Sequence, residues 1–230
     1  MFICSAFSCA QAATVSARVA WEDVERNGVH AHEARNVVVW LTPTDSPNGP
    51  TLPAKSSQRI RLVQKNKSFE PHVLVVPVGS QVEFPNHDPF FHNVFSLFEG
   101  KRFDLGLYEA GTTRDVHFDK PGISYIFCNI HPEMSAVVIA VETPYYAASD
   151  ARGEITIRDV PAGHYTLRLW YEAALAETLK SMTREVTISE ENVALGVLRL
   201  VSTNVTQSHK NKYGRDYDPP TPDSPVYPHP

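Results

Sequence analysis

Short apolar runs separated by turn residues constrain this fold more than any other feature of the sequence. The turn signals, mostly Pro, Gly, Asn and Asp, are spaced by roughly 8–12 residues, which is typical of β-sandwiches and barrels. One segment, residues 172–180, favours helix by propensity, although it is short and lacks a cap. The pattern therefore predicts an all-β fold. Strands are predicted at residues 15–21, 36–41, 60–64, 72–76, 81–84, 93–97, 113–118, 122–128, 136–141, 154–158, 165–169, 185–189 and 194–201.

The two ends of the chain differ in composition from the rest. Residues 1–12 are apolar and rich in small side chains, and Ala10-Gln11-Ala12 matches the A-x-A pattern that precedes a signal cleavage point. A positively charged start is missing, so we interpret residues 1–12 as a signal-peptide remnant and predict a periplasmic protein; a short apolar strand is the alternative. Residues 202–230 are polar and then rich in proline, which predicts a disordered tail.

The number and positions of the cysteines limit what a thiol in this chain can do. Cys4 and Cys9 lie in the predicted signal, so Cys128 is the one thiol expected in the exported chain. A single thiol in an oxidising compartment cannot form an internal disulfide. It is therefore buried and inert, reactive, or bound to a metal.

Cys128 begins a segment that contains three metal donors within seven residues. Cys128, His131 and Met134 supply a thiolate, an imidazole and a thioether, and a tight loop between two strands can turn all three toward one point. His92, next to another predicted strand, supplies a second imidazole. Two nitrogens, a thiolate and a long axial thioether form the trigonal copper site used in one-electron transfer. We therefore predict one type 1 copper ion, cycling between Cu(I) and Cu(II), with these four ligands.

Other metals and ligands also have to be considered. Structural zinc takes four Cys or His ligands and has no use for a thioether, so Met134 favours copper. His87 lies five residues before His92 and is an alternative ligand, although its surroundings are those of a turn. His30 and His32 form an H-x-H pair that could bind a second metal, but no third ligand is nearby, and a solvated loop is the simpler interpretation.

Residues 67–141 resemble a cupredoxin of the plastocyanin and amicyanin type. The resemblance lies in an H-N-V element at His92, the run Tyr125-Ile126-Phe127-Cys128, and a C-x-x-H-x-x-M motif. The two-residue gap before the methionine is similar to the short ligand loop of amicyanin. The whole chain also resembles bacterial proteins of the methylamine-utilisation or plastocyanin-like type. This resemblance implies a Greek-key cupredoxin β-sandwich over residues 55–142.

The resemblance implies roles for neighbours of the ligands. Asn93 follows the first histidine as it does in cupredoxins, where its backbone N–H hydrogen-bonds the cysteine sulfur, and such a contact tunes the potential and holds the geometry of the site. Glu133 adds a negative charge between two ligands, which we expect to favour Cu(II) and lower the potential. A redox protein is expected to dock near His131, on an apolar surface formed by Phe90, Phe91, Ile130 and Pro132.

Residues 150–169 resemble a second β-sandwich family, the carboxypeptidase regulatory-like or transthyretin-like domains. They match its D-x-x-G turn, its alternating apolar residues and its P-x-G-x-Y-x-L run, in which Tyr165 anchors a strand in the core. Such sandwiches open with two strands that this part of the chain lacks. We therefore predict a discontinuous sandwich, residues 13–45 with 143–201, into which the cupredoxin is inserted. Two domains in series are the alternative.

The leading hypothesis is a periplasmic protein that carries single electrons between redox partners. A copper carrier or storage protein with the same ligands is one alternative, and a structural binding module stabilised by copper is another. Four protein ligands leave no position for a substrate, and no catalytic motif stands out, so we do not predict an enzyme. The net charge of -5 gives no basic face for nucleic acid, and no stretch has the roughly 18 apolar residues of a transmembrane segment.

Overall fold

Almost every element in the part of the chain that the structure describes is a β-strand, which confirms the predicted all-β class. A computed structural model describes residues 12–21, 34–45, 59–97, 99–201 and 209–217. In chain order its elements are β1 (Ala13–Trp21), β2 (Val38–Pro43), β3 (Ile60–Arg61), β4 (Val63–Lys65), β5 (Ser68–Glu70), β6 (Val73–Pro77), β7 (Ser80–Pro85), β8 (His92–Ser96), β9 (Phe103–Tyr108), β10 (Thr113–Phe118), β11 (Gly122–Cys128), β12 (Ser135–Val141), β13 (Tyr146–Ala148), β14 (Glu154–Val160), β15 (Gly163–Trp170), α1 (Ala176–Met182), β16 (Arg184–Ile188) and β17 (Val193–Leu200).

The chain divides into two compact units. Unit 1 comprises residues 1–52 and 143–206, and unit 2 comprises residues 53–142 and 207–230. Unit 1 is therefore discontinuous, and the larger part of unit 2 lies between β2 and β13 in the sequence. Most of the predicted signal, residues 1–11, lies outside the described residues. No helix in the described ranges is long and apolar enough to span a membrane.

Unit 1 packs two sheets around one core. The three-stranded sheet has the order β14-β1-β17, with β1 antiparallel to β14 and parallel to β17. The four-stranded sheet has the order β13-β2-β15-β16. Strands from before residue 45 thus pair on both sides with strands from after residue 143. Because side chains alternate along each strand, one face of each sheet supplies the core, with Leu41, Ile155 and Leu167 among its buried members.

Gly153 occupies a tight turn just before β14. Its φ is +77°, and a Cβ at this position would lie 3.0 Å from both the Val19 carbonyl oxygen and the Ala34 Cβ. The Val19 N–H donates to the Gly153 carbonyl at 2.8 Å, so the turn cannot move away without losing that hydrogen bond. A left-handed φ by itself disfavours a side chain by about 1–2 kcal/mol.

Gly153→Ala is expected to lower the free energy of unfolding of unit 1 by about 2 kcal/mol, since backbone strain adds to the close contacts. Gly196→Ala is the matched control, because Gly196 has a φ of +79° but open space around its Cβ position; we expect a loss of about 1 kcal/mol. Urea unfolding followed by tryptophan fluorescence measures both, as Trp21, Trp40 and Trp170 all lie in unit 1. Equal losses of unfolding free energy in the two variants would show that the close contacts around Gly153 add nothing to the cost of the left-handed φ.

Unit 2 is also a two-sheet sandwich. A three-stranded sheet, β10-β7-β3, faces a five-stranded sheet, β6-β12-β11-β8-β9, and a β4–β5 hairpin adds to them. Both sheets contribute to one buried core, for example through Phe84 of β7, Phe118 of β10 and Ile126 of β11. The core thus lies between the sheets, and it includes two of the predicted ligands, Cys128 and Met134.

The pairing of β8 with β11 positions the candidate site. The two strands are antiparallel, with Cys128 opposite Val94 and Phe127 opposite Phe95. Opposed residues share a face of a sheet, as do residues two apart on one strand, so His92, Val94 and Cys128 point to the same side. Val94 and Cys128 are core residues, which makes this the inner side. The loop from β11 to β12 then carries the other two predicted ligands.

Part of the C-terminal tail differs from the predicted disorder. Within residues 209–217 a turn is closed by a hydrogen bond from the Gly214 N–H to the Asn211 carbonyl, and the Asn211 side chain accepts the Tyr213 and Arg215 N–H groups. The polar and proline-rich composition predicted disorder for the whole tail, but this stretch pairs several of its own backbone groups and contacts the rest of unit 2. The rest of the tail, residues 202–208 and 218–230, lies outside the described residues.

Candidate metal centre

Three of the predicted ligands meet at one point inside unit 2. The two Nδ1 atoms of His92 and His131 are 3.2 Å apart, and they lie 3.6 Å and 3.5 Å from the Cys128 Sγ. All three residues are buried, and His92 and Cys128 have no exposed surface. Together they form a group of side chains that could hold a metal ion.

The spacing of these donors fits one first-row metal ion. An ion bonded to nitrogen at about 2.0 Å and to sulfur at about 2.3 Å holds such donors about 3.3–3.7 Å apart, in trigonal or tetrahedral geometry. The three observed distances fall within or just below this range. The donor atoms are therefore arranged for a metal, and the chemistry of the fourth donor has to distinguish copper from zinc.

Met134 closes the loop that carries this fourth donor. The Cys128 N–H donates to the Met134 carbonyl at 3.2 Å, and the Met134 N–H donates to the His131 carbonyl at 3.1 Å. The Met134 side chain has no exposed surface and belongs to the same core cluster as Cys128. The loop thus keeps the thioether in the interior of unit 2, where a soft metal could use it.

Asp88 orients the first histidine. Its Oδ2 lies 2.9 Å from the His92 Nε2, so this nitrogen carries a hydrogen and the Nδ1 lone pair faces the cluster. The carboxylate also accepts the backbone N–H groups of Asn66 and Lys67, at 2.6 and 2.9 Å. Asn86 in turn accepts the Asp88 N–H and so shapes the turn. Such carboxylate–histidine pairs fix the ring orientation and raise the basicity of metal ligands.

Burial and hydrogen bonding together set the protonation states of Asp88 and His92. Burial raises the pKa of Asp88, but the N–H groups of Lys67, His92 and Asn66 outweigh it, and the carboxyl titrates below its usual range. Burial lowers the pKa of His92, and the Asp88 carboxylate offsets this effect only in part. The contact at neutral pH is therefore a hydrogen bond from a neutral imidazole, which is the form that binds metals.

Asp88→Asn is expected to weaken metal binding at this cluster by about 10-fold, because the amide keeps one acceptor oxygen but loses the charge that makes His92 more basic. Competition with a chelator of known affinity measures the change. Asp115→Asn is the matched control, since Asp115 is an exposed carboxylate of β10 in the same unit. Equal affinities of the two variants would mean that Asp88 has no part in metal binding.

The Cys128 thiol is buried among backbone donors. Burial raises its pKa, and the N–H groups of Ile130, Asn93 and His131 oppose that effect. Asn93 is the residue for which the cupredoxin resemblance implies such a contact. These three N–H groups stabilise negative charge on sulfur, so the pocket is suited to a thiolate whose proton is replaced by a metal.

Phe90 covers the two histidines on one side. Its ring centroid lies 5.3 Å from that of His92 and 5.5 Å from that of His131. Burial and the neighbouring His92 lower the pKa of His131 to about 4. The adjacent Phe91 is 46% exposed, and Pro132 is exposed as well, so apolar residues next to the two candidate histidine ligands reach the surface.

The other candidate ligands do not join this group. His87 is exposed, and its backbone N–H donates to the Gln64 carbonyl at 2.8 Å. His30 and His32 lie outside the described residues. Asp88 was not predicted as a site residue, although its position four residues before a candidate histidine, in an Asn-His-Asp-Pro turn, was an available signal.

Comparisons with known proteins matched parts of the chain only. No family model matches it, and no curated protein matches it. A copper-containing nitrite reductase from Thermus scotoductus SA-01 is 27% identical over 41% of this chain and 25% of that chain, with a TM-score of 0.36. A purple cupredoxin from Nitrosopumilus maritimus is 22% identical over 36% of this chain and 99% of its own (TM-score 0.33). A Cu(I) amicyanin mutant is 19% identical over 36% of this chain and 82% of that chain, with a TM-score of 0.34.

Proposed function

We propose that unit 2 binds a single type 1 copper ion through His92, Cys128, His131 and Met134, and carries single electrons between redox proteins. The observation that supports this most is the buried triangle of two imidazole nitrogens and one thiol sulfur, on a loop that also carries a buried methionine. Thiolate, imidazole and thioether are together the donors that suit copper in electron transfer. Structural zinc has no use for the thioether.

Copper held there supplies a Cu(I)/Cu(II) couple. The protein holds the donor atoms in fixed positions and keeps water away from them. Asp88 holds the His92 ring, and the N–H groups of Asn93 and of the ligand loop face the sulfur. The donors belong to a packed core, so a change of charge at the site moves them little, which favours rapid transfer. Four protein ligands leave no place for a substrate, so we propose a carrier rather than an enzyme.

Met134→Leu is expected to keep the blue colour of the copper protein and to raise its reduction potential. The thioether stabilises Cu(II) more than Cu(I), so its removal favours the reduced form, and the equatorial donors that give the colour are unchanged. Voltammetry and visible spectroscopy measure the two properties. Met182→Leu, a change in α1 of unit 1, is the matched control and should leave both unchanged. A potential that does not move would exclude Met134 as a ligand.

Electron carriage and copper delivery make different predictions for the same protein. A carrier of electrons is reduced and reoxidised reversibly at an electrode and retains its copper when an acceptor chelator is added. A copper delivery or storage protein gives its copper to the chelator and shows no reversible redox wave. We expect the first result, because the donors are already assembled and buried in the fold.

We further propose that a redox protein docks beside His131 and that the chain is exported. The exposed Phe91 and Pro132 support an apolar docking surface, and Ala10-Gln11-Ala12 supports a cleavage point whose position N-terminal sequencing of the mature protein can test.

We also propose that unit 1 is a carboxypeptidase regulatory-like sandwich. Its D-x-x-G run supports this, since Asp150 caps the turn by accepting the Arg152 and Glu154 N–H groups. The pairing of β1 and β2 with strands from after residue 143 supports the discontinuous arrangement.

A further inference from the structure

The C-terminal segment of residues 209–217 lies against the loop that carries the ligands. The His209 ring stacks on Phe127 with centroids 4.0 Å apart and an interplanar angle of 21°. The His209 Nε2 is 2.7 Å from the Pro132 carbonyl oxygen, so this nitrogen donates to it. Phe127 precedes Cys128 and Pro132 follows His131, and one side chain of the segment therefore spans the loop between two ligands.

Tyr217 contacts the backbone of a ligand directly. Its hydroxyl donates to the Cys128 carbonyl oxygen at 2.8 Å. The N–H of the same peptide group, that of Asn129, donates to the Asn93 carbonyl at 3.0 Å. The peptide that follows the cysteine is thus fixed at both its oxygen and its nitrogen, and its plane sets the direction in which the loop continues toward Ile130 and His131.

Lys212 links the segment to both sides of the sulfur pocket. Its backbone N–H donates to the Asn129 side-chain oxygen at 3.0 Å, and its Nζ lies 2.9 Å from the Asp104 carboxylate. Asp104 also accepts the Asn93 side-chain amide at 2.7 Å. Burial raises the pKa of Asp104, but the Lys212 and Asn93 hydrogen bonds outweigh it, so this link is charged at neutral pH.

We propose that residues 209–217 form a clamp on the metal centre, and that Tyr217 is its positioning residue, acting through the Cys128 carbonyl. The segments that it joins, Asn93 on β8 and the ligand loop, are the two that direct N–H groups at the Cys128 sulfur. The clamp holds these groups in place in the metal-free chain and slows the opening of the loop through which copper leaves. This role rests on the proposed copper site, although the hydrogen bonds that define the clamp do not.

Tyr217→Phe tests the clamp in the full-length chain, because it removes one hydroxyl and keeps the ring. In the metal-free protein we expect faster amide hydrogen exchange across residues 129–134, by about 5-fold, the effect of one hydrogen bond of about 1 kcal/mol. Tyr213→Phe is the matched control, since Tyr213 lies in the same segment and is 70% exposed. A chain that ends at residue 208 lacks every clamp contact and should exceed the effect of Tyr217→Phe.

In the copper-loaded protein two further measurements separate positioning from general stability. Transfer of Cu(I) to bathocuproine disulfonate is expected to be about 5-fold faster for Tyr217→Phe, and the thiolate-to-copper band is expected to shift, because the N–H groups at sulfur move. The clamp is excluded if Tyr217→Phe and the chain ending at residue 208 both match the parent in amide exchange. If the parent takes up copper without a blue band, the proposed function fails, while the exchange data on the metal-free chain still decide the clamp.

Discussion

Cys128→Ser is expected to abolish the blue colour of the copper-loaded protein completely. The intense band of a type 1 site arises from charge transfer between a thiolate and Cu(II), and a serine hydroxyl cannot replace the thiolate in this role. The side chain is fully buried at the point where both histidine Nδ1 atoms converge, and no other thiol of the described residues is positioned to replace it. Visible absorption after addition of one equivalent of Cu(II) measures the effect.

The matched control is the double variant Cys4→Ser, Cys9→Ser, which removes the other two thiols of the chain and should keep the full colour. Far-UV circular dichroism of Cys128→Ser establishes that unit 2 is folded when the colour is lost. A Cys128→Ser protein that is still blue would show that the ligand assignment is wrong.

The metal-free protein is expected to lose about 3 kcal/mol of unfolding free energy in unit 2 as the pH falls from 7 to 4. The fold lowers the pKa of His131 to about 4, against 6.5 in the unfolded chain. Between these values the unfolded state binds more protons, so stability rises with pH, is fully present above about 6.5 and is lost as the pH approaches 4. The difference between the two pKa values corresponds to about 3 kcal/mol. His92, whose pKa is also lowered by burial, acts in the same direction.

Urea unfolding at several pH values, followed by circular dichroism, measures this slope. Tryptophan fluorescence gives an internal reference, because all three tryptophans belong to unit 1. His131→Gln removes the titrating group. Most of the dependence of the unfolding free energy of unit 2 on pH should therefore disappear in this variant. Hydrogen bonds lower the pKa values of Asp88 and Asp104 below the usual range of an aspartate, so the stability that these two carboxylates contribute is lost at more acidic pH than the contribution of His131. An unchanged slope in His131→Gln would contradict the assignment.

The elements that could be predicted from the sequence are those whose pattern lies within a short stretch of neighbouring residues. Alternating apolar residues located most strands, since each must bury one face; Ile155 and Ile157 of β14 are an example. The spacing of Cys128, His131 and Met134 placed these residues on one short loop, and the structure brings His92 to them because β8 and β11 are antiparallel neighbours. Helix propensity was assigned to residues 172–180, whereas α1 covers Ala176–Met182, because without a side-chain cap the start of a helix has no local signal.

The parts that the sequence did not predict depend on tertiary contacts. Asp88 lies in a sequence that is typical of a turn. Only the folded loop shows that its carboxylate contacts the His92 Nε2. Residues 209–217 have the composition of a disordered tail, but His209 and Tyr217 find partners in the ligand loop, 77 and 89 residues away in sequence. Contacts over such separations leave no periodic pattern in a single sequence.

The most direct test of the proposed copper site is a titration of the purified metal-free protein with Cu(II), recorded by visible absorption and by EPR. We expect an intense blue thiolate-to-copper band that saturates at one copper per chain, with a narrow copper hyperfine splitting. A colourless copper complex, or a band that requires more than one copper per chain, would contradict the type 1 site.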